Sequence, residues 1–562
     1  MKQALSHFPD ITFVINWLSN LADYELVVLS VAFIFSLWIV WFIVKTVLIG
    51  VLRLFGCATP ELYTRLSIIP WRPIMRFRMA ISRWLEQTFK FGRYSTGGFS
   101  SVFATLTLQY NNKKLFIGRA WLWGFGLYQS IGLSLTKHVL IVAGTGSGKT
   151  SSIIGTISKW KGSVFALDPS SIITKTLARC DKNREWVRYA PYDMDNTAQF
   201  NVYDVIKEAM RREGINAAVK WSYRVSECFL QTNPNDKNPY FVQTSKGFFV
   251  GVLLHVLTTY PEDEHHLGTV RDLIVHGMRV FHDDGTVDST PEEARKILYT
   301  MMLNNPAFNG AIAGAGAPFI NASAETKGNL ASTLQERTKI LDMPQVRHFL
   351  MRSTRPISDL KTKDNVVVTL DIPIYSLREE LNCLALLIQN MVAYTFESVK
   401  EKNGNCLFVV DEVQAQGYNR TLEVSLPVAR SMGLYIIAIT QDLEGLKAAY
   451  PKTYLSFIGN ADFVLWKGTA HPLNLQQLCV ILGKKTTVIK DKYTGRKSYR
   501  EVNVMEQEQI ARFLSPQLGN MIVTRSGLRP LRLKLDQYFN ALPVWAYDAD
   551  PDHKESLFNR VA

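Results

Sequence analysis

The chain has 562 residues, several times the length of a typical domain, so it holds two or more folded units. It is 47% hydrophobic and 20% charged, enough for real cores and typical of a globular protein. The formal net charge of +14 favours polyanionic neighbours, nucleic acid or anionic lipid headgroups, over acidic proteins in general. The six cysteines are scattered, with no CxxC pair and no histidine at metal-ligand spacing. That argues against a disulfide framework or a zinc site and for a reducing compartment. His265 and His266, in the acidic stretch 261–266, read as part of a solvated loop rather than a metal site.

The first element in chain order is a membrane segment. Leu26–Val44 carries no charge, is rich in Val, Ile, Leu, Phe and Trp, and is bordered by Glu25 and Lys45. At about 1.5 Å per residue such a helix matches a hydrocarbon core of roughly 30 Å. A cleaved signal peptide fits poorly, because the leader is acidic and no small-residue cleavage site follows. Lys45, Arg53, Arg65, Arg72, Arg76, Arg78, Arg83, Lys90 and Arg93 follow the span, opposed by Glu61 and Glu86. The positive-inside rule then places everything after Val44 in the cytoplasm, with residues 1–25 outside and 45–98 as a basic juxtamembrane region. That region, with Trp71, Phe77 and Trp84, is expected to lie on anionic headgroups, with nucleic-acid binding as the alternative. A second span over Ile11–Leu21 is interrupted by Asn16 and Asn20, so one span is expected.

From about Phe99 the pattern is that of an α/β protein. Val102–Tyr110 and Lys114–Ala120 alternate around Asn111-Asn112, which predicts a β-hairpin. His138–Val142 is a short apolar run of the kind found in buried parallel strands. It leads into Ala143-Gly144-Thr145-Gly146-Ser147-Gly148-Lys149-Thr150, and a helical segment follows through Ile157. Strand, glycine-rich loop and helix form the context of a phosphate-binding loop. Glycines let backbone N–H groups turn inward around the β-phosphate, and the helix N-terminus adds partial positive charge. Lys149 is expected to reach the β- and γ-phosphates of ATP, and the Thr150 hydroxyl to ligate Mg²⁺. The position usually occupied by the first glycine is Ala143, which is tolerable because the later glycines build the cradle.

Ser163–Leu167, closed by Asp168-Pro169, and Asn365–Asp371 read as further strands. Between them, about 207–352, the sequence is mostly helical, including Gly247–Thr259 and Thr326–Leu341. An inserted all-α domain is the expectation, a core extension without separate function the alternative. Asn405–Val410 is an apolar strand ending in Asp411-Glu412, where the first acid faces a Mg²⁺ shell and the second polarises an attacking water. Leu434–Ile439 ends in Thr440-Gln441, which places a polar side chain beside the γ-phosphate. Arg430, upstream of that strand, either salt-bridges locally or reaches a neighbouring subunit's nucleotide as an arginine finger.

From about Gly97 to Gly483 the order of elements resembles the TraG/TraD family of type IV secretion coupling proteins. The resemblance is carried by Phe99–Arg119, His138–Thr150, Gly162–Pro169, Phe200–Asp204, Val410–Glu412, Ser431–Gln441 and Asn460–Gly483. The family's common Lys-Gly-Glu after Asp-Pro is here Ser170-Ser171-Ile172, and most members have two membrane spans where one is clear here. The resemblance implies a RecA-like P-loop NTPase core in two parts, 99–206 and 353–540, around an inserted all-α domain, with a tail over 541–562. It implies a homo-hexamer in the bacterial inner membrane. It implies ATP-driven delivery of a relaxase-bound single DNA strand, or of effector proteins, to a secretion channel. By matching position, Lys149, Thr150, Asp411, Glu412 and Gln441 inherit nucleotide roles and Arg430 the finger role. An FtsK/HerA-like double-stranded DNA pump, and a non-enzymatic substrate receptor on a P-loop fold, are the alternatives.

Overall fold

The computed structural model describes residues 98–548 apart from 101–104, 106, 123–126, 232–239, 280–287, 402–404 and 491–496. The expected span Leu26–Val44, the basic region after it and the end of the tail lie outside the described residues.

Thirteen strands are described. In chain order they are β1 (Leu115–Leu122), β2 (Leu127–Leu133), β3 (His138–Ala143), β4 (Ser163–Leu167), β5 (Glu185–Tyr189), β6 (Val366–Leu370) and β7 (Cys406–Val410), then β8 (Leu434–Thr440), β9 (Ala461–Lys467), β10 (Lys484–Lys490), β11 (Lys497–Asn503), β12 (Asn520–Arg525) and β13 (Leu528–Lys534). Eleven of them form one sheet in the order β2-β1-β13-β12-β9-β3-β8-β7-β4-β6-β5; β10 and β11 pair as a separate ribbon. The run from β9 to β5 is parallel throughout, and β12, β13, β1 and β2 extend it antiparallel.

The parallel strands are near-continuous apolar runs because both faces are covered. Their alternation divides the interior in two. Leu140, Val142, Phe165, Phe408, Val410, Ile436 and Ala438 point to one face. Val139, Ile141, Val164, Ala166, Leu407, Val409, Ile437 and Ile439 point to the other, where Ile153, Ile154 and Ile157 of the helix Lys149–Lys159 cover them. Phe165 and Phe408, on neighbouring strands, stack at 4.9 Å and are both buried. Each buries apolar surface contributing roughly 1.5–3 kcal/mol.

From Val202 to Thr362 every described regular element is helical. These helices share the first face's core with the sheet rather than closing a core of their own. Among them Tyr240–Thr259 is long and apolar enough to cross a membrane, with 61% of its most apolar window buried. It lies within the helical layer, where Lys246 pairs with Glu227 at 2.9 Å, and reads as the core helix of that layer.

Two local expectations are corrected. The hairpin is β1 with β2, not Val102–Tyr110 with Lys114–Ala120. One edge of β1 is taken by β13 and the other by β2, so Leu108–Tyr110 bonds instead to the outer edge of β2. His265 is buried rather than solvated, its ring bonded to the Tyr260 carbonyl, and His266 caps the helix Leu267–His276 through Nδ1. No cluster of three or more His, Cys, Asp or Glu side chains that could hold a metal ion occurs among the described residues.

Candidate functional site

Parallel pairing puts the carboxyl ends of β3, β7, β8 and β9 on one edge of the sheet, the edge where open α/β sheets bind ligands. The residues after each of these ends converge there. After β3 the chain turns through Gly144–Gly148 into the helix that begins at Lys149. Gly146 and Gly148 have φ of +71° and +74°, a left-handed conformation that disfavours a side chain. Gly144 has a different constraint: a Cβ there would lie 2.3 Å from the Gly468 carbonyl oxygen. Ala143, the departure from the usual loop pattern, is the last residue of β3 and fully buried. Thr145 is exposed, whereas Ser147 is buried with no hydrogen-bond partner for its hydroxyl. Thr150, half-buried, follows Lys149 in the first turn.

The ammonium of Lys149 forms an ion pair with the Glu412 carboxylate, across from the loop. Glu412 follows β7 with φ 58° and ψ 56°, the left-handed conformation that non-glycine residues seldom take. Two amides hold its carboxylate: Gln441 Nε2 donates to Oε1 at 2.9 Å and Gln414 Nε2 donates to Oε2 at 3.1 Å. The Thr440 hydroxyl bonds to Gln414 Oε1 and lies 2.8 Å from the Asp442 carbonyl, which joins the end of β8 to this network.

Asp411, beside it, is 8% exposed and its Oδ1 has no partner. Burial pushes its carboxyl up to about 6, the Lys149 charge pulling the other way and Glu412 adding to the rise. A buried carboxylate oxygen without a donor is costly to leave unpaired, and a hard cation satisfies it. The donor set of Thr150 and Asp411 therefore fits Mg²⁺.

Lys149, Thr150, Asp411, Glu412 and Gln441 thus gather at one edge. Arg430 does not join them. It is exposed, in the turn Ala429–Met432 at the amino end of β8, and no ion pair holds it among the described residues. Gln441 lies past the other end of that seven-residue strand, roughly 20 Å away at strand rise.

Asp168, at the end of β4, accepts from the backbone N–H groups of Ile173 (2.8 Å) and Thr174 (3.4 Å) and starts the helix Ile172–Leu177. Burial, with Asp371 nearby, pushes its carboxyl up to about 7. The sequence had singled out none of Gln414, Gly468 and Lys467. Gln414 sits two residues after the acidic pair, which is a usable signal. Lys467, the last residue of β9, and Gly468, just after it, carry none. Lys467 is 2% exposed, its ammonium donates to Ser152 Oγ at 2.6 Å, and burial lowers it to about 7.

Residues 103–555 match the family model for type IV secretory system conjugative DNA transfer. The conjugal transfer protein TraG of Agrobacterium fabrum is 24% identical over 332 residues, 56% of this chain and 46% of that protein. Its Rhizobium radiobacter counterpart is 23% identical over 331 residues, 56% of this chain and 47% of that protein. The chain thus matches about half the length of these curated relatives. The solved bacterial conjugative coupling protein TrwB, lacking its N-terminal segment, superposes with a TM-score of 0.59 at 14% identity, covering 82% of this chain and 98% of that one. TrwB in complex with ADP and Mg²⁺ gives 0.57 at 14%, covering 81% and 99%. At this identity the likeness is one of fold. The family match spans most of the sequence and both motif-bearing strands, so the chain belongs to the type IV secretory conjugative DNA transfer family.

Proposed function

We propose that this chain is an ATP-hydrolysing coupling protein that delivers relaxase-bound single-stranded DNA, or effector proteins, to a type IV secretion channel. The observation that carries the reading is the meeting of Lys149, Asp411, Glu412 and Gln441 at the carboxyl edge of a parallel sheet. The family match and the nucleotide-bound TrwB structures support it. The architecture is a RecA-like P-loop NTPase core, 99–206 and 353–540, around an inserted all-α domain, 207–352. It is anchored by one inner-membrane span at 26–44 and assembled as a homo-hexamer.

In this reading the loop N–H groups after Gly144, through Gly148, and the amino end of the helix Lys149–Lys159 cradle the phosphates, while the Gly144 N–H stays on the Lys467 carbonyl. Lys149 fixes the β- and γ-phosphates. Thr150 and Asp411 would hold the Mg²⁺ that accompanies ATP, and its charge would offset that of the phosphate oxygens. Glu412 accepts the proton of the attacking water, and Gln441 orients it together with the γ-phosphate. Arg430 acts in trans on a neighbouring subunit's nucleotide.

The test is ATP turnover by the full chain, with and without single-stranded DNA. Turnover should depend on Lys149 and vanish in Lys149→Ala. DNA should bind without sequence preference and weaken steeply with salt, as counterion release requires. Wild-type-like turnover by Lys149→Ala ends the nucleotide reading; turnover without salt-dependent DNA binding moves the cargo to protein effectors.

A further inference from the structure

We infer that Asn474 is a positioning residue that fixes the spacing between the phosphate-binding loop and Gln441; the inference rests on the reading of this site as one that hydrolyses ATP. Asn474 lies in the first turn of the helix Pro472–Leu482 and is fully buried. A buried amide is costly unless bonded, and an apolar residue there would be the stabilising choice if packing alone mattered. Both ends of this amide are used. Its Oδ1 accepts from the Leu443 N–H at 2.9 Å, and its Nδ2 donates to Thr469 Oγ1 at 2.7 Å.

These two partners belong to the two loops that flank the phosphate-binding loop. β3 lies between β9 and β8 in the sheet, so the segments after β9 and β8 border it on either side. On the β9 side Thr469 follows Gly468, which is pressed against the loop. A Cβ on Gly468 would lie 2.2 Å from Ser147 Cβ, and the Gly144 N–H donates to the Lys467 carbonyl at 3.3 Å. On the β8 side Leu443 is two residues past Gln441, whose amide holds Glu412 at 2.9 Å. Leu443 also opens the helix Leu443–Ala449, so its N–H is one of the donors that a helix start leaves unpaired. Asn474 fills that vacancy and fastens the start of this helix to Thr469. A second link, His471 Nε2 to Glu444 Oε2 at 3.0 Å, joins the same segments, but Glu444 is 71% exposed there and such a pair is weak. A shift of the phosphate-binding loop is therefore passed through Gly468, Thr469 and Asn474 to the segment carrying Gln441. Glu412 is set relative to the phosphates by that chain of contacts.

The experiment is steady-state ATP turnover by the full chain as wild type, Thr469→Val, Thr469→Ser, Asn474→Ala and the double variant Thr469→Val/Asn474→Ala. Thr469→Val deletes only the hydroxyl that Asn474 holds. It should lower kcat about tenfold with KM for ATP changed less than about threefold, the scale of one lost buried hydrogen bond. Thr469→Ser restores the hydroxyl and should restore kcat. Asn474→Ala should fall at least as far, and the double variant should match Asn474→Ala within about twofold, because both remove one link. Unchanged kcat in folded Thr469→Val, a change confined to KM, or effects that multiply in the double variant would each overturn the inference. Should Asn474→Ala fail to fold, the Val and Ser substitutions at Thr469 decide it. A wild type that turns over no ATP ends the functional reading itself, and the inference with it; a turning-over wild type with indifferent Thr469 variants ends the inference alone.

Discussion

Lys149 and Glu412 are ion-paired across the site, each side chain only 12% exposed. Two charges so far from water need each other, because removing either leaves the other buried and unpaired. The phosphates of a nucleotide supply the same negative charge to Lys149. In the proposed function, nucleotide binding would compete Glu412 away from the lysine and leave its carboxylate held by Gln441 and Gln414. The pair keeps the proposed base off the lysine's task until a nucleotide arrives.

Separating binding from hydrolysis follows from that exchange. Glu412→Gln keeps the shape and the neighbouring Asp411 but removes both the proton acceptor and the lysine's resident partner. Turnover should fall roughly 10²–10⁴-fold, the scale of general-base loss. Nucleotide affinity should be undiminished, since Lys149 no longer has a carboxylate to leave. Parallel titration and turnover assays check this; affinity falling together with turnover would assign Glu412 a structural part instead.

A pH dependence is built into Asp411. Burial raises its carboxyl from 3.8 to about 6, with Glu412 assisting and Lys149 opposing. Between those values the native chain holds a proton that the unfolded chain has released. Stability of the nucleotide-free protein accordingly falls as pH rises through this window, by about 2–3 kcal/mol from this group. Asp168, raised to about 7, adds a slope of the same sign, but it is present in wild type and variant alike. Asp411→Asn should be flatter than wild type by that amount in denaturant melts between pH 4 and 7. It should also lose the gain in Mg²⁺–nucleotide affinity expected of wild type as pH passes 6. Superimposable stability profiles would dismiss the buried-carboxylate argument.

Much of this site was legible because its chemistry is written contiguously. The glycine-rich loop follows an apolar strand, and Asp411-Glu412 and Thr440-Gln441 each end one, so strand polarity alone brings them together. What was not legible lies in long-range pairing. β1 chose partners from either side, β2 just downstream and β13 near the far end of the described chain, and no alternation pattern in 102–120 encodes that. Gly468 and Asn474 matter through what presses on them, Ser147 and the Leu443 N–H, and neither neighbour is near in sequence. The burial of His265 likewise comes from packing beside Tyr203, at 5.7 Å between rings, in a stretch whose composition reads as solvated.

Gly468 gives the third prediction. Its φ is +49° and a Cβ would meet Ser147 Cβ at 2.2 Å, with Ser147 Cα at 3.2 Å. Backbone cannot yield as a flexible side-chain end does, so Gly468→Ala must displace the phosphate-binding loop. Nucleotide affinity should drop at least about tenfold although no proposed ligand is altered, the cost of overpacking being about 1–3 kcal/mol. Equilibrium binding of a nucleotide analogue, with melting temperature as a control on folding, checks it. Unaltered affinity would mean that the loop does not lean on Gly468.

Arg430 provides the last prediction, because its position separates two roles for one side chain. It stands at the amino end of β8, about a strand's length from its own chain's Gln441, exposed and without an ion pair among the described residues. The alternative of a local salt bridge thus has no partner among those residues, and a role at its own nucleotide is out of reach. A guanidinium supplied across a subunit boundary stabilises the charge on the transferring phosphoryl group, an effect of roughly 10³–10⁵ in rate. Arg430→Ala should therefore bind nucleotide normally and turn over almost none. Mixed with Lys149→Ala, it should regain part of the lost activity, because some interfaces of a mixed ring then pair an intact loop with an intact arginine. Recovery should follow mixing ratio and rise with protein concentration. No recovery at any ratio, with hexamers confirmed by mass, would remove Arg430 from catalysis; recovery without hexamers would place the shared site in a smaller assembly.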